Sequence, residues 1–261
     1  MTGGGSGIGK AIARSLVELE CSVVIAGRNP EKLSAAAEEL SSGGGGPVQH
    51  CICNIRDEEN VRKLMRFAMS ERGGLDLLVN NAGGQFSAPA SKTSLKGWEA
   101  VIDTNLTSTF LCCREAYAAG MKTNGGAIAN IIAGMFNGFP GMAHTGAARA
   151  AVDNLTKSLA LEWASSGVRV NAVAPGVIYS ETAAKNYDEA GEFLRSLAPQ
   201  LPPQRLGTPE EVAAAVTFLL SPGAQYISGA TLRVGAGSSL YQPSPLFKIR
   251  PHDSLPVLGT E

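Results

Sequence analysis

Short apolar runs along this chain alternate with longer segments in which apolar residues recur every three or four positions. The runs predict strands at residues 21–26, 47–53, 75–79, 127–132, 168–174 and 229–234. The segments between them predict helices of about 12 to 20 residues. These helices begin near residues 7, 30, 57, 94, 145 and 208. Because a helix separates successive strands, the pattern predicts an α/β fold with a doubly wound parallel sheet covered on both faces.

Capping residues support the predicted helix starts. Asn29 is a predicted N-cap followed by Pro30 at the first helical position, and Asp57 is a second N-cap. Thr208 and Glu211 have the spacing of a capping box.

The periodic pattern also predicts the domain organisation. We predict a single domain over residues 1–237, in which the proline-containing segment 177–207 lies on the substrate side. Residues 238–261 contain several prolines and predict a tail without regular structure.

The first predicted helix is preceded by a glycine turn, with glycines at positions 3, 7 and 9. A glycine turn at a helix N-terminus presents backbone N–H groups and the positive end of the helix dipole, which together bind phosphate. We therefore predict that the pyrophosphate of a dinucleotide lies over Gly3 to Gly9. A turn of this kind normally follows a buried strand, but only Met1 precedes it here. The hypothesis is that the first strand is missing and that this shortened form folds poorly.

Ligands of open parallel sheets bind where the strands end. Arg28 follows the first predicted strand, about twenty residues after the glycine turn, where an arginine suits the 2′-phosphate of NADP. Asn54 ends the next strand and could contact adenine. Asn81, Ala82 and Gly83 follow the strand at 75–79, and the glycine permits close approach of the backbone to a cofactor. The expected cofactor is NADPH.

Composition excludes several classes of function. The 261 residues carry a formal net charge of −1, which argues against binding nucleic acid or a membrane surface through bulk charge. The sequence contains no run of about eighteen apolar residues, so we expect no membrane-spanning helix, and we recognise no secretory signal. The five cysteines lack zinc-site spacing, so we expect no metal and buried thiols in a reducing compartment.

Four motifs in order resemble the short-chain dehydrogenase/reductase family. They are Thr2-Gly-x-x-x-Gly-x-Gly9, Asn80-Asn-Ala-Gly83, Thr104-Asn105-Leu106 and Asn171-Ala-Val-Ala-Pro-Gly176. The resemblance implies a Rossmann-like fold. It also adds Thr2, Ile8, Pro175, Gly176 and Ile178 to the expected cofactor-binding residues and Asn105 to the expected catalytic residues.

Within the family, the chain is most similar to peroxisomal trans-2-enoyl-CoA reductases. The stretches that carry this similarity include Gly83-Gly-Gln-Phe86, Gly138-Phe-Pro140 and the run from His144 to Trp163. The resemblance implies NADPH-dependent reduction of the 2,3 double bond of enoyl-CoA thioesters in fatty-acid chain elongation. It also implies a peroxisomal location and a homotetramer. The chain ends in Leu258-Gly-Thr-Glu261, which is not a peroxisomal address, so cytosol is the second expectation.

The family's Ser, Tyr and Lys triad is replaced. Ala133 stands at the position of the Ser, and the Tyr-x-x-x-Lys spacing falls on Thr145 and Arg149. Asp153 and Lys157 repeat that spacing, and a charge pair on a helix face is the favoured interpretation for them. Reduction of an enoyl thioester gathers negative charge on the thioester oxygen, which needs hydrogen-bond donors more than an acid.

Four residues are therefore the predicted catalytic set. Thr145 can donate a hydrogen bond, and Arg149 can contact the nicotinamide ribose and supply positive potential. Asn105 completes the family motif, and Tyr179 is a candidate acid if its loop folds inward. Two alternatives stay open, a 2,4-dienoyl-CoA reductase and an NADP-binding homologue with impaired catalysis.

Overall fold

The computed structural model describes residues 1–185 and 192–241. The last 20 positions of the predicted tail, 242–261, and residues 186–191 of the predicted substrate-side segment lie outside the described residues. The strands are β1 (Val23–Gly27), β2 (Val48–Ile52), β3 (Leu77–Asn80), β4 (Gly126–Ile131), β5 (Val168–Pro175) and β6 (Thr231–Val234). The helices are α1 (Gly7–Glu18), α2 (Pro30–Ser42), α3 (Glu58–Arg72), α4 (Leu95–Ile102), α5 (Ser108–Ala116), α6 (Lys122–Asn124), α7 (Ala143–Glu162), α8 (Glu181–Lys185), α9 (Glu192–Leu197) and α10 (Pro209–Leu220).

All strand pairs are parallel, as predicted. β1 pairs with β2, and β3 to β6 form a second group in the order β3-β4-β5-β6. Thr2 joins the two groups through parallel bridges to Ala26 of β1 and Asn80 of β3. The neighbouring backbone groups complete the join, since Thr2 N donates to Val79 O at 3.0 Å and Gly3 N donates to Ala26 O at 2.7 Å. Met1 to Gly3 therefore occupy the position between β1 and β3. This is the position of the first strand, which was expected from the sequence to be missing.

Two apolar layers cover the sheet. On one face, side chains of α1, α2 and α10 pack with residues of β1 and β4, and Ile12, Leu33 and Val216 are fully buried or nearly so. On the other face, α3, α5 and α7 pack against β3, β4 and β5, with Val61 and Cys113 at the centre. The predicted single-domain α/β fold is confirmed.

The predicted caps are present. Asn29 Oδ1 accepts a hydrogen bond from Lys32 N at 2.7 Å, and Asp57 Oδ1 accepts one from Asn60 N at 2.8 Å. Thr208 and Glu211 form a complete capping box at the start of α10. Each cap satisfies a backbone N–H that the first helical turn leaves without an intrahelical partner.

One predicted helix is less regular than its apolar pattern suggests. The segment predicted as one helix from residue 94 to 121 is continuous, but π-helical turns at Asp103–Thr107 and Tyr117–Met121 separate α4, α5 and α6. A π-turn adds a residue to the helical repeat, and such turns are frequent at functional sites. Asn105 lies in the first of them.

Candidate cofactor and substrate cleft

A cleft of about 660 Å³ opens at the carboxyl ends of the central strands. The loops after β3, β4 and β5 line it, as the switch-point rule for open parallel sheets predicts. Seven of the residues expected to bind cofactor lie in its wall, namely Ile8, Asn81, Gly83, Arg149, Pro175, Gly176 and Ile178. The remaining wall is mostly apolar and aromatic, with Phe86, Phe136, Phe139, Met142 and Leu194 among its members.

Gly3, Gly7 and Gly9 of the glycine turn cannot accept side chains without strain. Gly3 and Gly7 have φ of +68° and +52°, a region that favours glycine. A Cβ on Gly9 would lie 2.1 Å from the carbonyl oxygen of Gly3. Ser6, the N-cap of α1, makes no side-chain capping bond, so the first N–H groups of the helix remain available. This geometry fits the phosphate seat that the glycine spacing predicts.

The loop after β3 is fastened to the glycine turn by side-chain hydrogen bonds. The hydroxyl oxygen of Thr2 accepts from Asn81 N and Ala82 N, both at 3.1 Å. Asn81 Nδ2 donates to the carbonyl oxygens of Thr2 at 3.2 Å and Gly3 at 3.1 Å. Thr2, Ala82 and the Asn81 amide therefore hold the two phosphate-side loops in a fixed relation.

Gly83, Arg149 and Asn105 meet at one point of the cleft. A Cβ on Gly83 would lie 2.3 Å from Arg149 Nη2 and 2.7 Å from Asn105 Oδ1. Arg149 Nη1 donates to Ile131 O at 2.7 Å. Asn105 Nδ2 donates to Gly84 O at 2.7 Å and Val101 O at 2.8 Å, and the π-turn places the amide where it reaches both.

Arg149 is a buried cation. Its side chain is 9% exposed, and burial lowers the pKa of its guanidinium to about 10. Among the described residues, no carboxylate forms an ion pair with it. At neutral pH the group is therefore charged, and its positive potential is not cancelled by a neighbouring acid.

Thr145 lies behind the cleft wall. It is fully buried and is not part of the lining. Its backbone N–H donates to Nδ1 of His144 at 2.7 Å, and its hydroxyl lies 3.1 Å from the same nitrogen. His144 packs edge-on against Phe86, and its buried Nε2 has no hydrogen-bond partner among the described residues. Burial lowers the pKa of His144, so the imidazole is neutral at neutral pH.

Three other predicted residues lie away from the lining. The hydroxyl of Tyr179 accepts a hydrogen bond from Arg195 at 2.6 Å, and the arginine also lies over its ring at 5.1 Å. Arg28 and Asn54 are exposed, each following the end of a strand. Asn54 Oδ1 accepts from Arg56 N at 3.3 Å.

Asp153 and Lys157 form the exposed i, i+4 pair that the helical spacing favours. The second oxygen of Asp153 accepts a hydrogen bond from the hydroxyl of Thr231. Their carboxylate and ammonium groups therefore bond to each other and to β6, and neither side chain lines the cleft.

The sequence did not point to one cleft residue, Arg233 on β6. Its guanidinium carbon lies 3.6 Å from the centre of the Phe136 ring, and it lines the cleft. No motif surrounds it, so only the fold could have revealed its position.

The described residues contain no group of three or more His, Cys, Asp or Glu side chains that could hold a metal ion. None of the helices in the described ranges is both long and apolar enough to cross a membrane.

The chain is similar to known reductases over most of its length. A family model described as enoyl-(acyl carrier protein) reductase matches residues 3–239. A peroxisomal 2,4-dienoyl-CoA reductase of Danio rerio is 38% identical over 248 residues, covering 92% of this chain and 80% of that protein. A probable 2,4-dienoyl-CoA reductase of Bacillus subtilis is 38% identical over 243 residues, covering 92% of this chain and 95% of that protein.

Solved structures agree with the fold. A citronellol catabolism dehydrogenase of Pseudomonas aeruginosa is 44% identical with a TM-score of 0.80, covering 91% of this chain and 92% of that one. An actinorhodin polyketide ketoreductase, solved with NADPH, is 31% identical with a TM-score of 0.85, covering 92% of this chain and 96% of that one.

Proposed function

This chain belongs to the short-chain dehydrogenase/reductase family of oxidoreductases, and from that premise we propose that it uses NADPH to reduce a double bond conjugated to the thioester of an acyl-CoA. The first candidate substrate is a trans-2-enoyl-CoA, as used in fatty-acid chain elongation. The second is a 2,4-dienoyl-CoA, which is favoured by the names of the Danio rerio and Bacillus subtilis relatives.

The observation that carries the proposal is the replacement of the family's tyrosine. A ketone reductase must deliver a proton to an alkoxide from a group of suitable pKa. Here Thr145 stands at that position, is fully buried and does not line the cleft. The cleft instead contains the buried, charged guanidinium of Arg149. A fixed positive charge without a titratable acid suits an enolate better than an alkoxide.

The residues present fit a bound NADPH. The glycine turn and the start of α1 would hold the pyrophosphate, Gly83 and Pro175 would admit the nicotinamide end, and Arg149 would contact its ribose. When bound, NADPH would supply the hydride, to the β-carbon in the case of a 2-enoyl thioester. Arg149 stabilises the negative charge that develops on the thioester oxygen, and the α-carbon takes its proton from water. The apolar side of the cleft, with Phe139 and Leu194, receives the acyl chain.

The activity is tested by following NADPH oxidation with three thioesters, crotonyl-CoA, 2,4-hexadienoyl-CoA and acetoacetyl-CoA. The proposal expects turnover of one or both conjugated substrates. Product analysis should show butyryl-CoA from crotonyl-CoA, or a hexenoyl-CoA with one remaining double bond from 2,4-hexadienoyl-CoA. It expects little turnover of the β-keto thioester. Reduction of acetoacetyl-CoA alone would contradict it.

The choice of NADPH over NADH is proposed from Arg28, which is exposed and outside every ion pair of the described residues. A guanidinium bonded to a phosphate is worth about 1.5–3 kcal/mol. Arg28→Ala should therefore weaken NADPH binding by roughly tenfold or more and leave NADH binding unchanged. Equal affinity of the unmodified protein for both cofactors would refute this part of the proposal.

Location and assembly are proposed from similarity alone. A peroxisomal location is supported by the Danio rerio relative, which is named as a peroxisomal enzyme. The Bacillus subtilis relative is bacterial and does not support it. A homotetramer is proposed from the family resemblance, and light scattering after size-exclusion chromatography would test it.

A further inference from the structure

Arg233 has the geometry of an anion-binding residue. Its guanidinium carbon lies over the ring of Phe136, 3.6 Å from the ring centre. Stacking on one face leaves the N–H groups at the edge of the guanidinium free to donate. Within the described part of the chain, the hydrogen bond recorded for these groups is a long one of 3.5 Å to the hydroxyl of Ser239.

The charge of Arg233 has no direct partner among the described residues. None of the ion pairs there includes it. Asp153 feels its field, which helps to lower the pKa of that carboxyl, but Asp153 is already bonded to Lys157 and Thr231. The guanidinium is therefore held in place by an aromatic ring and not by a carboxylate.

The location of Arg233 indicates what it binds. It lies between the main cleft and a second cavity of about 240 Å³, and it lines both together with Ser238. Asn137 donates a hydrogen bond to Ser239 O and joins this corner to the loop after β4. Asn137, Ser238 and Ser239 make the corner polar, whereas Phe139, Met142, Leu194 and Leu197 make the rest of the substrate side apolar.

We propose that Arg233 binds the phosphate of the phosphopantetheine arm of the thioester substrate and so selects phosphate-bearing thioesters. The inference rests on the proposed function, because an acyl-CoA combines an apolar acyl group with a polyanionic handle. The acyl group fits the apolar wall, and the handle fits the polar corner. Arg149 and Arg233 then have different tasks, since one is buried and the other is exposed at the junction of the cavities. The same phosphate chemistry is presented by coenzyme A and by the phosphopantetheine arm of an acyl carrier protein.

The test uses binding, which does not depend on turnover. Titration calorimetry measures the affinity of the full chain for three saturated thioesters, hexanoyl-CoA, hexanoyl-phosphopantetheine and hexanoyl-pantetheine. Arg233→Gln should weaken binding of hexanoyl-CoA by roughly five- to tenfold. Its affinity for hexanoyl-pantetheine, which has no phosphate, should change less than twofold. Arg233→Lys should restore part of the loss, because lysine keeps the positive charge but lacks the paired N–H donors of the guanidinium.

A matched control removes one positive charge elsewhere. Lys92 is exposed and lines neither cavity, so Lys92→Gln should bind all three thioesters as the unmodified protein does. Thermal melts of all variants show whether each one is folded.

Each remaining outcome is decisive. An equal loss of affinity for hexanoyl-pantetheine, or no loss for hexanoyl-CoA, overturns the assignment of Arg233. A loss for hexanoyl-CoA alone, with hexanoyl-phosphopantetheine unchanged, overturns the assignment to the phosphopantetheine phosphate and places the contact on the nucleotide end of coenzyme A. If the unmodified protein reduces conjugated thioesters but Arg233→Gln binds normally, only this inference fails. If the unmodified protein binds none of the three, the proposed function fails with it.

Discussion

Gly83→Ala tests whether the contact between the loop after β3 and Arg149 controls the cleft. The added Cβ would lie 2.3 Å from Arg149 Nη2 and 2.7 Å from Asn105 Oδ1. Neither group can withdraw freely. Arg149 is buried and donates to Ile131 O, and Asn105 is held by bonds to Gly84 O and Val101 O.

Overpacking of this kind is destabilising by about 1–3 kcal/mol. For a domain of this size, 1 kcal/mol corresponds to a change in Tm of roughly 2–4 °C, so the Tm of Gly83→Ala should fall by about 2–12 °C. A displacement of Arg149 by about 1 Å should also lower turnover by up to about 100-fold. NADPH affinity should fall as well, because the same displacement moves the proposed ribose contact.

The neighbouring glycine is the matched control. A Cβ on Gly84 would lie 3.7 Å from Cγ2 of Thr104, which is an ordinary van der Waals contact. Gly84→Ala should therefore melt and bind NADPH nearly as the unmodified protein does. Melting curves with and without NADPH, together with an NADPH titration, compare the two variants. If Gly83→Ala and Gly84→Ala behave alike in both assays, the steric reasoning is wrong.

Four further predictions concern the same region. Gly9→Ala should abolish NADPH binding, because the added Cβ would lie 2.1 Å from Gly3 O. Gly5→Ala is the control, since its Cβ would lie 3.5 Å from the nearest atom, and this variant should bind NADPH normally in a fluorescence titration. Arg149→Met should raise the free energy of unfolding of the cofactor-free protein by about 1–2 kcal/mol while weakening NADPH binding. Burial lowers the pKa of Arg149 to about 10 and so destabilises the charged form by about 3 kcal/mol, and the lost bond to Ile131 O offsets part of the gain. Above about pH 10 the unfolded chain binds more protons than the folded chain, so the penalty is present in full at neutral pH and diminishes only as pH rises past about 10. Lys157→Ala should change turnover and stability little. The lysine side chain of its pair with Asp153 is 53% exposed, and exposed ion pairs contribute about 0–1 kcal/mol to stability. A large loss of turnover would assign Lys157 to the site. Turnover of crotonyl-CoA should be nearly flat from about pH 7 to 9, because Arg149 stays charged and burial lowers the pKa of His144; a steep fall with rising pH would indicate a titrating acid.

The helix starts and the glycine turn could be predicted from the sequence. Glycine positions, N-caps and a capping box are local signals, because each depends on a residue type and a spacing of a few positions. Asn29, Asp57 and Thr208 cap helices where the sequence placed them. The glycine turn was also predictable, since the absence of a Cβ at Gly3 and Gly9 is a property of the residue itself.

Features that depend on contacts between distant segments were not readable. The π-turn at Asp103–Thr107 lies within a helical segment that continues on both sides, and the apolar pattern predicted the segment but not the position of the turn. Met1 to Gly3 join β1 and β3 through backbone hydrogen bonds and the hydroxyl of Thr2, and a segment this short has no strand signature. Arg233 reaches the cleft only because β6 ends beside the loop that carries Phe136.

The arrangement of charge around Arg149 explains why the loss of the family's tyrosine is compatible with catalysis. A buried guanidinium without a carboxylate partner is unfavourable for the protein alone, and only a ligand with developing negative charge can compensate it. A carboxylate placed beside Arg149 would improve folding but would cancel the potential that an enolate oxygen needs. Thr145, which is bonded to His144 and fully buried, adds no titratable group to that environment. Among the described residues, the lining of the cleft supplies fixed positive charge and no titratable acid. Under the proposed function this is sufficient, because reduction of a conjugated thioester needs its developing negative charge stabilised, whereas its α-carbon can take a proton from water.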